Sequence, residues 1–200
     1  MRLIVVHGLH GSKSSTRILC FLAKLLKASG VVLLGNTVSP TIVEWLNSSC
    51  DVKVFGVLGE CDSTAVAVAL SRIGGFIECK CVDYSGVCFL GVGLSGCQRI
   101  PEESVDIVFS SLPGFEYTCC EACSDRVDNV VKSTKPKLVV TGACREPCFD
   151  VKKHVFSPGS MRLGFLGLVE FTENREIHVR ILNIERVITR SVFSPNNISI

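Results

Sequence analysis

The fold of this chain is constrained most strongly by three short apolar runs. Each run is followed by a turn with a glycine or an acidic residue nearby. The runs are RLIVV (2–6), VVLLG (31–35) and KVFGVL (53–58), and the segments between them have the apolar spacing of helices. Runs that are apolar at nearly every position are typical of strands buried on both faces of a sheet. Because helices alternate with these strands, the N-terminal half predicts a βαβαβα unit with a parallel sheet.

Helices are predicted over residues 14–29, 40–45 and 63–73 of this unit. Gly30 fits a left-handed cap at the end of the first helix. Ser39-Pro40 supplies a cap and a first-position proline for the second, and Asp62 is the predicted N-cap of the third. Each helix is amphipathic or small-residue rich, so each is expected to cover a face of the sheet.

The C-terminal half is richer in strands. Hairpins are predicted at 76–82 with 87–93 and at 161–171 with 176–188, strands at 106–110 and 137–142, and a helix at 115–132. The two halves together predict an α/β fold of two packed β-sheets flanked by helices, an αββα sandwich. Residues 1–188 are expected to form a single domain, and residues 189–200 a C-terminal tail.

Composition limits which cellular environment and which kinds of partner are expected for this chain. Hydrophobic residues make up 47% of the chain, yet no stretch approaches the roughly 18 uncharged apolar residues that span a bilayer. The first residues enter a strand directly, which is not the pattern of a signal peptide. The net charge of +2 is spread without a Lys/Arg block, and aromatic residues are few (7%), which argues against a nucleic-acid groove. We therefore expect a cytoplasmic protein without membrane or nucleic-acid partners.

The turn after the first strand, HGLHGSKSST (7–16), raises the question of phosphate binding. A phosphate-binding loop needs G-x-x-x-x-G-K-[ST], with a glycine directly before the lysine. Ser12 separates Gly11 from Lys13 here, so the spacing is wrong. This turn does not predict a nucleotide-binding loop.

An α/β-hydrolase-like esterase is an alternative interpretation of the same turn, which would then shape an oxyanion hole. Such an enzyme carries its nucleophile at a G-x-S-x-G elbow between a strand and a helix. The nearest candidate is Ser95, which has Cys97 where the second glycine belongs. Asp150 and His154 would complete the triad, whose geometry decides the matter.

Six segments, taken in order, share a different pattern, in which an apolar strand ends in a short loop. They are LIVVHGLHGS, VVLLGN, VFGVLGECD, DIVFSSLPG, KLVVTGACREP and VFSPGSMRLGFLGLVEF. In order and spacing they resemble the site segments of calcineurin-like metallophosphoesterases, especially the small archaeal and bacterial phosphodiesterase-like branch. That family carries D-x-H, G-D, G-N-x-D, a lone His and G-H-x-H at the C-terminal ends of successive strands. The resemblance covers residues 1 to about 172 and implies a site at that edge.

The resemblance also implies a two-metal centre, which needs carboxylate and imidazole ligands and one bridging acid. Most of these positions carry other side chains here. The first Asp falls at Gly8, the bridging Asp at Asn36, the Asn at Glu60, the lone His at Ser111 and the paired histidines at Ala143 and Arg145, while His10 is kept. Because the Arg145 charge would repel a cation, we expect the two-metal site to be largely lost.

A non-catalytic binding or scaffold module is therefore the expected function, with a protein partner or a homodimer and without a cofactor. A retromer subunit of the same family is used chiefly as a protein-interaction platform. An apolar patch would serve such contacts, and the hydrophobic composition of the chain favours one.

Two alternatives keep a ligand at this edge. A divergent phosphoesterase would hold one displaced Zn²⁺ or Mn²⁺. Its ligands would be His10, Asn36 and Glu60, with His7 and Cys144 as further donors and Cys61 and Asp62 as the candidate catalytic residues. In the second alternative, Arg145, Ser111, Gly8 and Gly11 bind a phosphate or carboxylate directly. An ion pair of Arg145 with Glu60, Asp62 or Glu146 would compete with that role.

Cysteines are unusually frequent, with 12 in the chain. The segments CCEAC (119–123) and CREPC (144–148) have a spacing that suits a structural zinc site of Cys120, Cys123, Cys144 and Cys148. Disulfides and buried thiols are the alternatives for the same residues. Cys79 and Cys81 are expected on one side of a strand, with Cys88 on its partner, so a cross-strand pair is also possible.

Overall fold

The computed structural model describes residues 1–101, 103–121, 124–172, 174, 176–189 and 198–199. The N-terminal half consists of β1 Arg2–Val6, α1 Lys13–Leu25, β2 Gly30–Leu34, α2 Pro40–Ser49, β3 Lys53–Val57 and α3 Thr64–Arg72. The three strands pair in parallel, β1 with β2 and β2 with β3. The predicted βαβαβα unit is therefore confirmed.

The C-terminal half is richer in strands, as predicted. Its elements are β4 Cys81–Tyr84, β5 Val87–Val92, β6 Ile107–Ser110, α4 Asp125–Thr134, β7 Leu138–Thr141, β8 Cys148–Asp150, β9 Val155–Ser157, a 3₁₀ turn at Met161–Leu163, β10 Phe165–Phe171, β11 Ile177–Asn183, α5 Ile184–Thr189 and β12 Ile198–Ser199. Both predicted hairpins form, since β4 pairs antiparallel with β5 and β10 with β11.

The strands form two six-stranded sheets, one in the order β12-β11-β10-β1-β2-β3 and the other β4-β5-β6-β7-β9-β8. Strand β10 returns the chain to the first sheet by pairing antiparallel with β1. Strands β5, β6, β7 and β9 run parallel to one another in the second sheet. The expected α/β sandwich of two sheets flanked by helices is confirmed.

Aromatic side chains fill the space between the two sheets. Phe89 lies edge-to-face against Phe55 from the first sheet, with ring centroids 5.7 Å apart, and against Phe109 at 5.4 Å. All three rings are almost fully buried. The edge-to-face arrangement matches the charge distribution of aromatic rings and adds to the stabilisation from burial. This layer holds the sheets face to face.

Several predicted boundaries are wrong. The segment 76–80 forms isolated bridges instead of a strand, Phe76 with Gly56 of the first sheet and Glu78 with Gly91 of the second, so β4 begins at Cys81. The N-cap of α3 is Ser63, and Asp62 is not its cap. Strands β8 and β9 were not predicted, because each is three residues long. The predicted tail at 189–200 lies mostly outside the described residues, but Ile198–Ser199 pairs with β11.

The predicted helix at 115–132 is wrong in its first part, since α4 begins only at Asp125. The irregular segment before it is held by the buried carboxylate of Asp128, which accepts hydrogen bonds from the backbone N–H groups of Phe115 (2.9 Å), Glu116 (3.2 Å) and Tyr117 (3.2 Å). A helix over 115–117 would place these N–H groups elsewhere. Instead, the Asp128 side chain on α4 holds the loop at 115–117.

Ten of the described cysteines form five disulfides, which the sequence left as one of three alternatives. The pairs are Cys20–Cys50, Cys79–Cys97, Cys81–Cys88, Cys119–Cys148 and Cys120–Cys144. Cys81–Cys88 is a cross-strand pair of the kind that the sequence left open. Cys61 is a free, exposed thiol. None of the helices in the described residues has both the length and the apolar character that a bilayer crossing requires.

Replacing Asp128 by Ala is expected to lower the free energy of unfolding by about 2–3 kcal/mol, because three N–H groups lose their charged acceptor. Urea denaturation followed by circular dichroism measures the change. The matched control is Asp125→Ala, which removes an exposed carboxylate from the same helix and should cost less than about 1 kcal/mol. Equal losses in the two variants would contradict the anchoring role of Asp128.

Candidate functional site

The loops at the carboxyl ends of the parallel strands lie along one edge of the sandwich. In the first sheet, His7, Asn36 and Glu60 follow the adjacent strands β1, β2 and β3. In the second sheet, Ser111 and Ala143 follow the adjacent strands β6 and β7. Parallel pairing therefore brings each group of predicted site residues to the same edge.

Gly142 is the point at which these two groups meet. A Cβ atom at this position would lie 2.7 Å from the carbonyl oxygens of both Leu34 and Ser111 and 2.8 Å from Cδ2 of His7. No side chain fits at such distances, so only glycine allows this approach. Leu34 and His7 belong to the first sheet and Ser111 to the second, so the two strand edges form one continuous surface.

Backbone hydrogen bonds join the loops after β1 and β2. The N–H of Gly8 donates to the carbonyl of Gly35 (3.2 Å), and the N–H of Gly11 donates to the carbonyl of Thr37 (3.0 Å). The predicted anion site counted Gly8 and Gly11 among its ligands. Because both N–H groups are already used within the protein, the donors left to such a site are side chains.

Asn36 lies at the predicted bridging position, and both the oxygen and the nitrogen of its side-chain amide have partners. Its Oδ1 accepts a hydrogen bond from the N–H of Cys61 (3.0 Å), and its Nδ2 lies 3.5 Å from Nε2 of His7. This orientation makes Nε2 the acceptor and puts the imidazole proton on Nδ1. Asn36 therefore links the loops after β1, β2 and β3 as a neutral group.

Asp62, a predicted catalytic residue, ties together the loops after β2 and β3. Its Oδ1 accepts from the N–H of Val38 (2.6 Å) and its Oδ2 from the N–H of Gly59 (2.8 Å). Both oxygens thus serve the backbone, and the geometry favours a positioning role. Its neighbours Glu60 and Cys61, and His10 across the loop, are exposed to solvent.

His7 is the most perturbed ionisable group of the site. The pKa of His7 is lowered to about 4, chiefly by burial and in smaller part by the nearby His10, while Asp62 opposes both effects. Its imidazole is therefore neutral at pH 7. Its Nδ1, the hydroxyl of Ser111 and the hydroxyl of Thr141 are buried and have no hydrogen-bonding partner in the described part of the chain. These three atoms are buried polar groups without a partner in the described residues, which is uncommon in protein interiors.

Glu78 was missed by the sequence analysis. Its Oε1 accepts from the N–H of Leu58 (2.6 Å) at the end of β3, and its carboxylate packs on Gly93 at the end of β5. Burial raises the pKa of this carboxyl; the Leu58 N–H opposes the shift and Asp62 adds to it. The one signal was an acidic residue inside the apolar run FIECKCV. Glu78 is a second connection between the sheets at this edge.

The donor set does not fit a two-metal centre. Among the described residues, a single group of three or more His, Cys, Asp or Glu side chains brings its donor atoms within 4.8 Å of one another, and it consists of Cys119, Cys144 and Cys148. The acids and histidines of the strand-end loops do not gather in this way. Arg145 is exposed, and within the described residues it forms no ion pair with Glu60, Asp62 or Glu146.

The elbow required by the esterase interpretation is also missing. Ser95 is exposed in the connection from β5 to β6, in which the described residues contain no helix. The Asp150 carboxylate accepts from the N–H groups of Lys152 (3.0 Å) and Lys153 (3.1 Å). His154 precedes β9 and so lies at the opposite edge from the strand-end loops. This arrangement gives Ser95 no strand–turn–helix geometry.

The neutral His7 predicts a loss of stability in mild acid. The unfolded chain protonates this imidazole near its ordinary pKa of about 6.5, whereas the folded protein does so only near 4. As the pH falls between these values, the unfolded state gains about 1.4 kcal/mol per pH unit from this group. His7→Asn should weaken the dependence of the urea midpoint on pH between 7 and 5. His154→Asn, which removes an exposed histidine, should leave it unchanged; the reverse result would contradict the assignment.

Comparison with solved structures places this geometry in a known fold. No protein-family model matches the sequence, and no curated protein matches it. An archaeal phosphodiesterase is 16% identical with a TM-score of 0.60 over 91% of this chain and 100% of its own. YfcE, a phosphoesterase from E. coli, is 17% identical with a TM-score of 0.59 over 100% of both chains. A predicted phosphoesterase from Streptococcus pneumoniae is 14% identical with a TM-score of 0.56, over 100% of this chain and 97% of its own. The chain thus has the fold of the calcineurin-like metallophosphoesterases, as its strand-end segments predict.

Proposed function

We propose that this chain is a metallophosphoesterase-fold protein that has lost its two-metal site and acts as a non-catalytic binding or scaffold module. The observation that carries the proposal is the state of Asn36. A bridging ligand must be an anion that shares its charge between two cations. The neutral Asn36 amide instead accepts a backbone hydrogen bond from Cys61 and faces His7.

Charge at the edge supports the same conclusion. Arg145 stands where the family resemblance places one of two metal-binding histidines, and its guanidinium stays charged at any physiological pH. A fixed cation at a few ångströms opposes a second cation through Coulomb repulsion. Ala143, at the position of the other histidine, offers no donor atom. This side of the edge therefore favours anions over metals.

The ligand that suits this edge is an anionic or polar group carried by a partner. Arg145 supplies an exposed charge without a competing ion pair in the described residues, whereas the hydroxyl of Ser111 is buried. Arginine binds carboxylate and phosphate groups with two parallel hydrogen bonds. We propose that this group belongs to a protein partner or to a second copy of the chain.

Apolar side chains around the same edge support a protein partner. Val38 is 39% exposed in the loop after β2, Phe115 is 60% exposed in the loop after β6, and Leu163 is 43% exposed in the 3₁₀ turn after β9. Large apolar side chains in exposed loops cost solubility unless a contact uses them. Interfaces combine apolar contacts with a smaller number of hydrogen bonds, and the exposed apolar side chains and Arg145 could supply both.

The cytoplasmic location stays a proposal. Disulfides are rare in the cytosol of most organisms but common in the intracellular proteins of hyperthermophiles. The five disulfides among the described residues therefore fit a cytoplasm that leaves cysteines oxidised, or a compartment outside it. Counting free thiols in protein isolated from its source under acid quench would separate oxidised from reduced states.

The purified full chain is expected to show no metal-dependent hydrolysis of p-nitrophenyl phosphate or of its bis-ester with added Mn²⁺ or Ni²⁺. Elemental analysis should find no metal at the strand-end loops. The variants for comparison are His10→Ala, which removes the kept family histidine, and His154→Ala at the opposite edge. Turnover that is lost in His10→Ala and retained in His154→Ala would overturn the scaffold proposal and establish a divergent phosphoesterase.

A further inference from the structure

Four cysteine side chains gather beside the strand-end loops. Cys119 and Cys120 lie in the segment between β6 and α4, Cys144 lies in the loop after β7, and Cys148 is the first residue of β8. They form the disulfides Cys119–Cys148 and Cys120–Cys144. The sulfurs of Cys119, Cys144 and Cys148 all lie within 4.8 Å of one another, and Cys120 is bonded to one of them. We call these four residues the cysteine cluster.

The cluster's loops are held by contacts that do not involve sulfur. Asp128 fixes the backbone of 115–117 just before the first two cysteines. The N–H of Cys120 donates to the hydroxyl of Thr118 (3.0 Å), and the N–H of Cys144 donates to the carbonyl of Gly142 (2.9 Å). The four sulfurs therefore stay near one another when the disulfide bonds are broken.

Four thiolates match the preferred coordination of zinc. Tetrahedral zinc binds thiolate sulfurs at about 2.3 Å, which places the sulfurs about 3.8 Å apart. The sulfurs of Cys119, Cys144 and Cys148 already lie within 4.8 Å of one another, and Cys120, the disulfide partner of Cys144, would supply the fourth. Cys144 is 2% exposed and the other three are half-buried, so the site is shielded as structural zinc sites are. A site with four protein ligands leaves no open position for substrate, and its role is structural.

We propose that the cysteine cluster is a redox-dependent zinc site, which holds two disulfides when oxidised and one Zn²⁺ bound by Cys119, Cys120, Cys144 and Cys148 when reduced. Each disulfide takes two electrons and two protons from a dithiol reductant, which leaves as a disulfide. The four thiols then release four protons as one Zn²⁺ forms four Zn–S bonds. Oxidation by a disulfide reverses the steps and frees the ion.

The ligand set differs from the one that the sequence predicted, because it contains Cys119 in place of Cys123. Cys123 lies outside the described residues. The helix that was expected to bring Cys123 to the face of Cys119 or Cys120 begins only at Asp125. In either state the cluster ties the segment after β6 to the loop after β7, next to Ala143 and Arg145. In a reducing compartment the zinc-bound cluster thus connects the same two segments that the two disulfides connect in an oxidising compartment.

The test uses the full chain, reduced with a phosphine under argon and titrated with Co²⁺ as a spectroscopic substitute for Zn²⁺. We expect the visible d–d and charge-transfer absorption of a tetrahedral thiolate site, saturating at one Co²⁺ per chain and abolished by added Zn²⁺. Cys119→Ser and Cys148→Ser should each lose this absorption. The double variant Cys20→Ser/Cys50→Ser, which removes a distant disulfide, should keep it, and so should His10→Ala.

Alkylation keeps the proposal testable if a variant fails to fold. Reduced wild-type protein with Zn²⁺ should resist iodoacetamide at the four cluster cysteines, read by mass spectrometry, while Cys61 reacts. Reduced protein that shows no thiolate absorption and no protection overturns the proposal. Protection of Cys123 in place of Cys119, or absorption lost in Cys123→Ser and kept in Cys119→Ser, overturns the ligand set. Absorption lost in His10→Ala would place the metal at the strand-end loops instead and would contradict the scaffold proposal as well.

Discussion

The contact between the two sheets at Gly142 positions every loop of the functional edge. Two carbonyl oxygens and the ring of His7 converge on its α-carbon at distances that exclude any side chain. The carboxyl ends of β1 and β2 therefore touch those of β6 and β7, and residues far apart in sequence share one surface. Glu78 repeats this connection at the other end of the edge, between Leu58 and Gly93. The layer of aromatic rings beneath gives the sheets their separation, but these two contacts give the edge its shape.

A neutral hydrogen-bonded network occupies the region where the fold family places charged ligands. Asn36 joins His7 to the loop after β3, and both carboxylate oxygens of Asp62 accept hydrogen bonds from backbone N–H groups. Burial then keeps His7 uncharged, since the opposing effect of Asp62 is smaller than the cost of desolvation. These contacts stabilise the loops through hydrogen bonds within the chain. Several polar groups of this edge therefore have a structural role in a metallophosphoesterase-like fold.

Much of the fold could be predicted from the sequence, because strands apolar at every position and glycines at their ends have few other solutions. The residues of the candidate site were harder to predict from the sequence. The strand-end positions of Gly8, Asn36 and Ser111 came from a resemblance in spacing, whereas Glu78 acts through a contact with Leu58, twenty residues away in sequence, that the resemblance does not include. The prediction for Asp62 was wrong because an aspartate before a helix can accept hydrogen bonds either from the first turn of that helix or from a neighbouring loop. The prediction of a helix over residues 115–117 was wrong for a related reason, since the Asp128 carboxylate holds their backbone N–H groups in a loop.

Three residues at the strand ends adopt left-handed backbone conformations although they carry side chains: His10 (φ 46°), Asn36 (φ 55°) and Ala143 (φ 62°). Each such conformation costs about 1 kcal/mol relative to a right-handed one, so surrounding hydrogen bonds must enforce it. The curvature of these turns therefore comes from contacts within the sandwich. Exchanging the side chains at these three positions is expected to alter the surface of the edge and to leave the path of the main chain in place.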